Sequence, residues 1–176
     1  MKKPSVTQLI DLLAKPALIN WANKQGLLGI DINESRKKAM EAGTSLHSQI
    51  ENYCNGTGDF EREIDRDSFN RFMFGKSIVS IEKKIETEWF VGRYDAKIRV
   101  GSDEYIVDYK SGFTGKLYLE YKLQLVAYAM AENAKIAVVP IPQFHLVPVN
   151  IRDVKPYEEI LIALSKLWHL KMEIDS

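Results

Sequence analysis

The sequence predicts an α/β fold, a central mixed β-sheet flanked by helices, with a helical segment at the N-terminus. Two observations carry this. Residues 78–110 alternate apolar and polar side chains at strand spacing, while the segments before them and the stretches 118–133 and 156–172 repeat at helix spacing. The resulting order is helices, three strands, helix, two strands, helix, which suits two helical layers packed on one sheet. One domain is expected over 1–176: a mainly helical part (1–77), the sheet and its core helix (78–150), and a C-terminal helix (151–176).

Taken in order, residues 5–25 read as two short helices. Ser5 or Thr7 can cap the first, whose apolar face is Leu9, Ile10 and Leu13. Pro16 suits the first turn of the second, and Gly26 should close it. A longer helix starts near Asn33 or Ser35 and runs to about Tyr53, with Gly56 beyond its end. Another is expected over 65–76, with Phe69, Phe72 and Met73 on one side. The strand pattern follows, and Gly101-Ser102-Asp103 supplies the turn between its second and third runs. A glycine-containing loop leads into the helix at 118–133. Two strands are expected at 136–139 and 144–149, and the last helix should turn Ile160, Leu164, Leu167 and Trp168 inward.

Composition narrows the function. Lys plus Arg and Asp plus Glu each total 24, so the formal net charge is zero. Proteins that coat nucleic acid without specificity draw their affinity from counterion release and are far more basic. A nucleic-acid partner must therefore be held by local patches or by metal ions. Residues 1–50 carry seven basic against four acidic residues, and residues 51–120 carry eleven against fourteen. The single cysteine, Cys54, excludes an intramolecular disulfide, a zinc ribbon and a four-thiolate iron–sulfur cluster. No signal peptide and no apolar run of membrane-spanning length is readable, so a cytoplasmic protein without a membrane partner is expected.

Chemistry concentrates on the strands. Asp108 and Lys110 share a face at the end of the third strand, and Asp95 lies on the strand that pairs with it. Two carboxylates side by side repel one another unless a cation lies between them. Asp95 read alone fits equally well a solvated sheet face with Arg93, Lys97 and Arg99. Gly43, His47 and Glu51 recur every four residues on one helix face, as do Gln124 and Tyr128 on another. Taken singly, a helical histidine and a polar helix edge are ordinary structural features.

Together the order Gly43-x-x-x-His47-x-x-x-Glu51, Gly92-x-x-Asp95, Val107-Asp108-x-Lys110-Ser111-Gly112 and Gln124-x-x-x-Tyr128 resembles the PD-(D/E)XK nuclease superfamily. It is most similar to the RecB-type branch, including small phage and mitochondrial genome maintenance exonuclease-like members. The opening Pro4-Ser5-Val6-Thr7, Lys15-Pro16-Ala17-Leu18 and Trp21-Ala22 fits the same group, and the likeness covers about residues 4–130. The resemblance implies a restriction-endonuclease-like core. It implies His47, Asp95, Asp108 and the backbone carbonyl of Tyr109 as metal ligands, with Glu51 as a second-metal or water-mediated ligand and Glu82 or Glu88 as a further contributor. It makes Lys110 the catalytic lysine and sets Gln124 and Tyr128 to align it or the substrate. Tyr94 stands where the family's name motif has proline, and the branch members that hold an iron–sulfur cluster need four cysteines.

The expected cofactor is Mg²⁺ or Mn²⁺, which oxygen-rich ligand sets with one imidazole accept. The expected substrate is DNA, single-stranded or with free ends, cleaved by an exonuclease of recombination, repair or phage replication, in a bacterial or phage-infected cell. A structure-specific or restriction-type endonuclease, and a non-catalytic DNA-binding module on the same fold, are the alternatives. Arg36, Lys37 and Lys38, with Lys2, Lys3, Lys15 and Lys24 upstream, form the candidate DNA-binding surplus. Phe113 and Lys116 offer an aromatic and a cation beside Lys110, suited to a splayed base and a phosphate; Phe113 packing down and Lys116 solvated is the even alternative.

Overall fold

The alternating segment folds into three antiparallel strands, β1 (Lys76–Glu86), β2 (Val91–Val100) and β3 (Asp103–Ser111). The computed structural model describes residues 2–111 and 113–174; the side chains of residues 16, 17, 32, 35, 36, 38–40 and 42–44 lie outside the description. Gly101 takes a left-handed φ of 61° in the two-residue turn that joins β2 to β3, a conformation glycine adopts without steric cost. From β3 the chain crosses over through a helix and returns as β4, parallel to β3 from Tyr105↔Lys135 to Ser111↔Ile141. The short β5 (Val147–Pro148) pairs antiparallel with β4 (Lys135–Ile141). The sheet is therefore mixed, in the order β1-β2-β3-β4-β5, with helices on both faces, and the predicted α/β class holds.

The helices are α1 (Val6–Ile10), α2 (Pro16–Leu27), α3 (Ile32–Cys54), α4 (Glu63–Met73), α5 (Leu119–Glu132) and α6 (Lys155–Ile174). Apolar residues of α1, α5 and α6, among them Leu9, Leu123, Val126 and Leu161, close over Phe90, Tyr94, Ile106 and Val138 on one face. Ile50 of α3 and Phe69 and Phe72 of α4 close over Ala96, Ile98, Val107 and Val139 on the other. Odd and even residues of β3 and β4 thus feed different layers, as strand geometry requires. Ser5 caps α1 in a reciprocal box with Gln8, and the Val91 amide donates to the Pro4 carbonyl, which pins the N-terminal segment along β2.

Several boundaries depart from the sequence reading for identifiable reasons. Gly26 sits inside α2; the chain leaves the helix at Gly29, which takes the left-handed φ of 69°. Asp31, rather than a residue near Asn33, caps α3 by accepting from the Asn33 and Glu34 amides. Helix α4 ends at Met73 because Gly75 turns left-handed and Lys76 already pairs with Val100. The strand expected at 144–149 shrinks to two residues, because Phe144 adopts a left-handed φ and its ring packs against Phe60, Phe69 and Phe72.

On α6, Leu167 faces solvent at 51% exposure, while Leu161 is fully buried and Ser165 donates to the Trp89 carbonyl at 2.7 Å. Ile160, Leu164 and Trp168 face the core as expected, and of the expected face only Leu167 does not. Leu161→Ala should cost about 2–5 kcal/mol, the range for emptying a buried leucine site. Leu167→Ala should change stability by no more than about 0.5 kcal/mol. Urea unfolding of the two variants measures the difference, and the reverse ranking would place Leu167 inward.

Candidate active site

The β2–β3 ladder runs from Val100↔Asp103 to Ala96↔Val107 and stops. Asp95 and Asp108 are the next opposing residues, so the two carboxylates stand where the strands part. Past this point the Tyr109 amide donates to Asp95 Oδ2 at 2.7 Å, and a side chain takes the place of a neighbouring strand. Strand β1 is irregular at the same level. Ile81 pairs with Ala96 and Lys83 with Tyr94, whereas Glu82 between them takes a φ of 47°. Tyr94 and Ala96 accordingly enter opposite core layers despite being two residues apart. Such local breaks re-aim side chains, and here they leave Glu82 and Asp95 together.

Helix α3 brings His47 over this opening. His47 Nε2 lies 2.9 Å from the Tyr109 carbonyl, which can only accept, so Nε2 carries the proton in this arrangement. Nδ1 then presents its lone pair toward Asp95 Oδ2 at 3.7 Å. Ligand atoms of His47, Glu82 and Asp95 all lie within 4.8 Å of one another. Glu51, one helical turn beyond His47, is half-buried and close enough that its charge helps raise the Glu82 carboxyl.

The charges are held under tension. Burial, reinforced by repulsion from Asp108, raises the Asp95 carboxyl well above the usual aspartate range. Burial also raises Glu82, against the Arg93 guanidinium 2.8 Å away, and lowers His47. For Lys110 burial favours the neutral amine, but attraction to Asp108 and Asp95 outweighs it, so the group stays an ammonium. Lys110 Nζ forms an ion pair with Asp108 Oδ2 at 2.8 Å. That oxygen belongs to a residue only 3% exposed.

From the opposite layer, α5 holds Lys110 in place. Its Nζ donates to Gln124 Oε1 at 3.2 Å, and Gln124 Nε2 donates to the Tyr128 hydroxyl at 3.3 Å. Lys110 Nζ also sits 4.9 Å from the centre of the Tyr121 ring. Gly92 explains how Tyr128 comes so near the sheet: a Cβ there would lie 2.9 Å from Tyr128 Cε1 and 3.1 Å from Val6 Cγ2.

The structure thus gathers His47, Glu82, Asp95, Asp108, Lys110, Gln124 and Tyr128, with Glu51 at the margin. The expected ligand set is altered in two respects. The His47 ring and the Tyr109 carbonyl are bonded to each other, leaving Nδ1 as the nitrogen open to a cation, and Asp108 is turned to Lys110. Of the two alternative glutamates Glu82 is in the cluster, whereas Glu88 is exposed in the β1–β2 turn. Phe113 takes the packed alternative: its ring is partly buried against the core layer that includes α5. Lys116 is exposed, 4.9 Å over the Tyr118 ring. Lys37 is exposed beside Glu41, and Lys3 is tied to Glu86 at 2.6 Å. The side chains of Arg36 and Lys38, the surroundings of Gly43, and Gly112 lie outside the described residues. Tyr121 and Arg93 were not singled out from sequence; Tyr121 lies three residues before Gln124 on the same helix face, the one signal that points to it.

No protein-family model matches the chain, and no curated protein matches it. Solved structures do match. Among them is the crystal structure of SSO0001, with a TM-score of 0.45 and 16% identity, covering 94% of this chain and 76% of that one. A likeness this distant carries no functional argument, and the reading below rests on the residues. Among the described residues no helix is long and apolar enough to cross a membrane.

The contact between Gly92 and Tyr128 can be measured directly. Gly92→Ala should destabilise by about 1–3 kcal/mol, the cost of overpacking. The penalty should shrink when Tyr128→Leu removes the opposing ring carbon, a coupling that a double-mutant cycle in urea detects. Full additivity would show that the added methyl is accommodated elsewhere.

Proposed function

We propose that this chain is a metal-dependent deoxyribonuclease of the PD-(D/E)XK type, resembling the RecB branch, that hydrolyses phosphodiester bonds at DNA ends or in single strands. One observation carries the reading. At the parting of β2 and β3, two repelling carboxylates, a third from β1 and an imidazole converge next to a lysine held by a glutamine–tyrosine pair. Burying that much like charge is costly without a cation to offset it.

The residues fit a hard divalent cation. Carboxylate oxygens with one imidazole suit Mg²⁺ or Mn²⁺, and Asp108, paired with Lys110, stands beside them. His47 Nδ1, Glu82 and Asp95 would hold the ion, with Asp108 and Glu51 available beside them. Such an ion, when bound, lowers the pKa of a water and polarises the phosphoryl oxygen. The protein's own groups do the rest. Lys110, kept as an ammonium, donates to a non-bridging phosphate oxygen or to the attacking water where negative charge develops. Gln124 accepts from Lys110 and so fixes its direction, and Tyr128 orients the Gln124 amide by accepting from it. Asp95 ties the metal side to the β3 backbone through the Tyr109 amide.

Cleavage of linear DNA should require Mg²⁺ or Mn²⁺ and cease in EDTA; robust hydrolysis in excess chelator would sink the reading. Lys110→Ala should still bind metal by calorimetry while single-turnover cleavage falls ~10²-fold or more. An unchanged rate would reduce Lys110 to a counter-charge for Asp108.

The two glutamates give an independent check on the ligand set. Glu82→Gln should weaken Mn²⁺ binding ~10-fold or more, and Glu88→Gln should leave it unchanged. Equal affinities in the two variants would remove Glu82 from the site.

A further inference from the structure

Beside the lysine end of the site lies a groove of about 400 Å³, lined by Lys15, Leu18 and Trp21 from the start of α2 and by Tyr118, Glu120 and Tyr121 from the start of α5. Its inner wall is continuous with the site, because the Tyr121 ring that faces it also carries Lys110 Nζ at 4.9 Å. Tyr118 stands edge-on to Tyr121, with ring centres 5.7 Å apart, and bears Lys116 Nζ at 4.9 Å. Across the groove Trp21 and Leu18 are 37% and 40% exposed. Three aromatic rings therefore line one open groove, with Lys15 in its wall and Lys110 and Lys116 each over one of its tyrosines.

This combination selects a ligand chemistry. Aromatic faces bind the flat faces of nucleobases at about 1–3 kcal/mol per base, whatever the sequence. A base in a duplex has both faces covered by its neighbours, so only an unpaired strand can use the groove. The cations suit the phosphates between stacked bases. Lys15 is partly neutralised by Asp11 at 2.5 Å, and Glu120 is an acid within the groove, so a phosphate is better received on the Lys110 and Lys116 side. There the first turn of α5 carries no side-chain cap, which leaves amide donors at the positive end of the helix dipole.

We propose that this groove is a base-stacking subsite for single-stranded DNA, holding the nucleotides adjacent to the phosphate that Lys110 faces. The proposal rests on the nuclease reading for its register and narrows that reading to an enzyme fed by unpaired strands.

The test uses the full chain with Trp21→Ala, and with Trp21→Phe as the variant that keeps an aromatic face. Binding of fluorescein-labelled oligo(dT), measured by anisotropy in EDTA, should weaken about 5- to 100-fold in Trp21→Ala and recover in Trp21→Phe. A blunt hairpin duplex should bind all three proteins alike. Hydrolysis of bis(4-nitrophenyl) phosphate with Mn²⁺, a diester too small to need the groove, should be the same in all three. Parent-like oligo(dT) binding by Trp21→Ala overturns the subsite, as does an equal loss of duplex binding. If oligo(dT) binding depends on Trp21 but the parent hydrolyses neither the small diester nor DNA with Mn²⁺, the subsite stands and the nuclease reading fails.

Discussion

The hydrogen bond from the Tyr109 amide to the Asp95 carboxylate, 2.7 Å long, organises the whole site. Two antiparallel strands that separate must satisfy their backbone groups elsewhere or pay desolvation for them. Here Asp95 supplies the acceptor, so β2 and β3 can part beneath α3 without orphaning that amide. The opening this creates receives His47 from one helical layer, while Gln124 and Tyr128 from the other hold Lys110 of β3 beside it. Neither layer alone could assemble the set, because residues 108 and 109 of β3 point to opposite faces.

The electrostatics follow from the same opening. Glu51, Glu82, Asp95 and Asp108 crowd a partly buried volume to which Arg93 and Lys110 contribute cations, and burial and repulsion push Asp95 and Glu82 toward protonation. A fold selected for stability alone gains little from this, because ion pairs with Lys110 and Arg93 only partly offset the desolvation of the clustered carboxylates. The left-handed Glu82 adds backbone strain of the kind that concentrates at functional sites. Stability is supplied elsewhere, by the aromatic cluster of Phe60, Phe69, Phe72 and Phe144 on one face and the α5–α6 contact on the other.

Lys110 illustrates how a charged group is kept both ionised and aimed. Asp108 supplies the attraction that resists deprotonation, Gln124 the direction, and Tyr121 a ring face over which the ammonium sits. The Tyr128 hydroxyl that steadies Gln124 needs a close approach to β2, which only glycine at position 92 permits. The aligned lysine therefore depends on a residue with no side chain, one strand away.

By itself the sequence determined which residues share a face within each element. Strand alternation set Asp108 with Lys110, helical spacing set His47 above Glu51 and Gln124 below Tyr128, and the Gly101 turn brought Asp95 opposite Asp108. These are local consequences of backbone geometry and need no partner. The tertiary structure alone decided how the faces meet. It chose Glu82 over Glu88 through a backbone irregularity in β1, and on α6 it buried Leu161 and left Leu167 exposed. It packed Phe113 against the core and brought Tyr121 beneath Lys110, with Trp21 across the groove beyond. Each of these depends on contacts between segments distant in sequence, and the energy that selects among near-equivalent local choices resides in their packing.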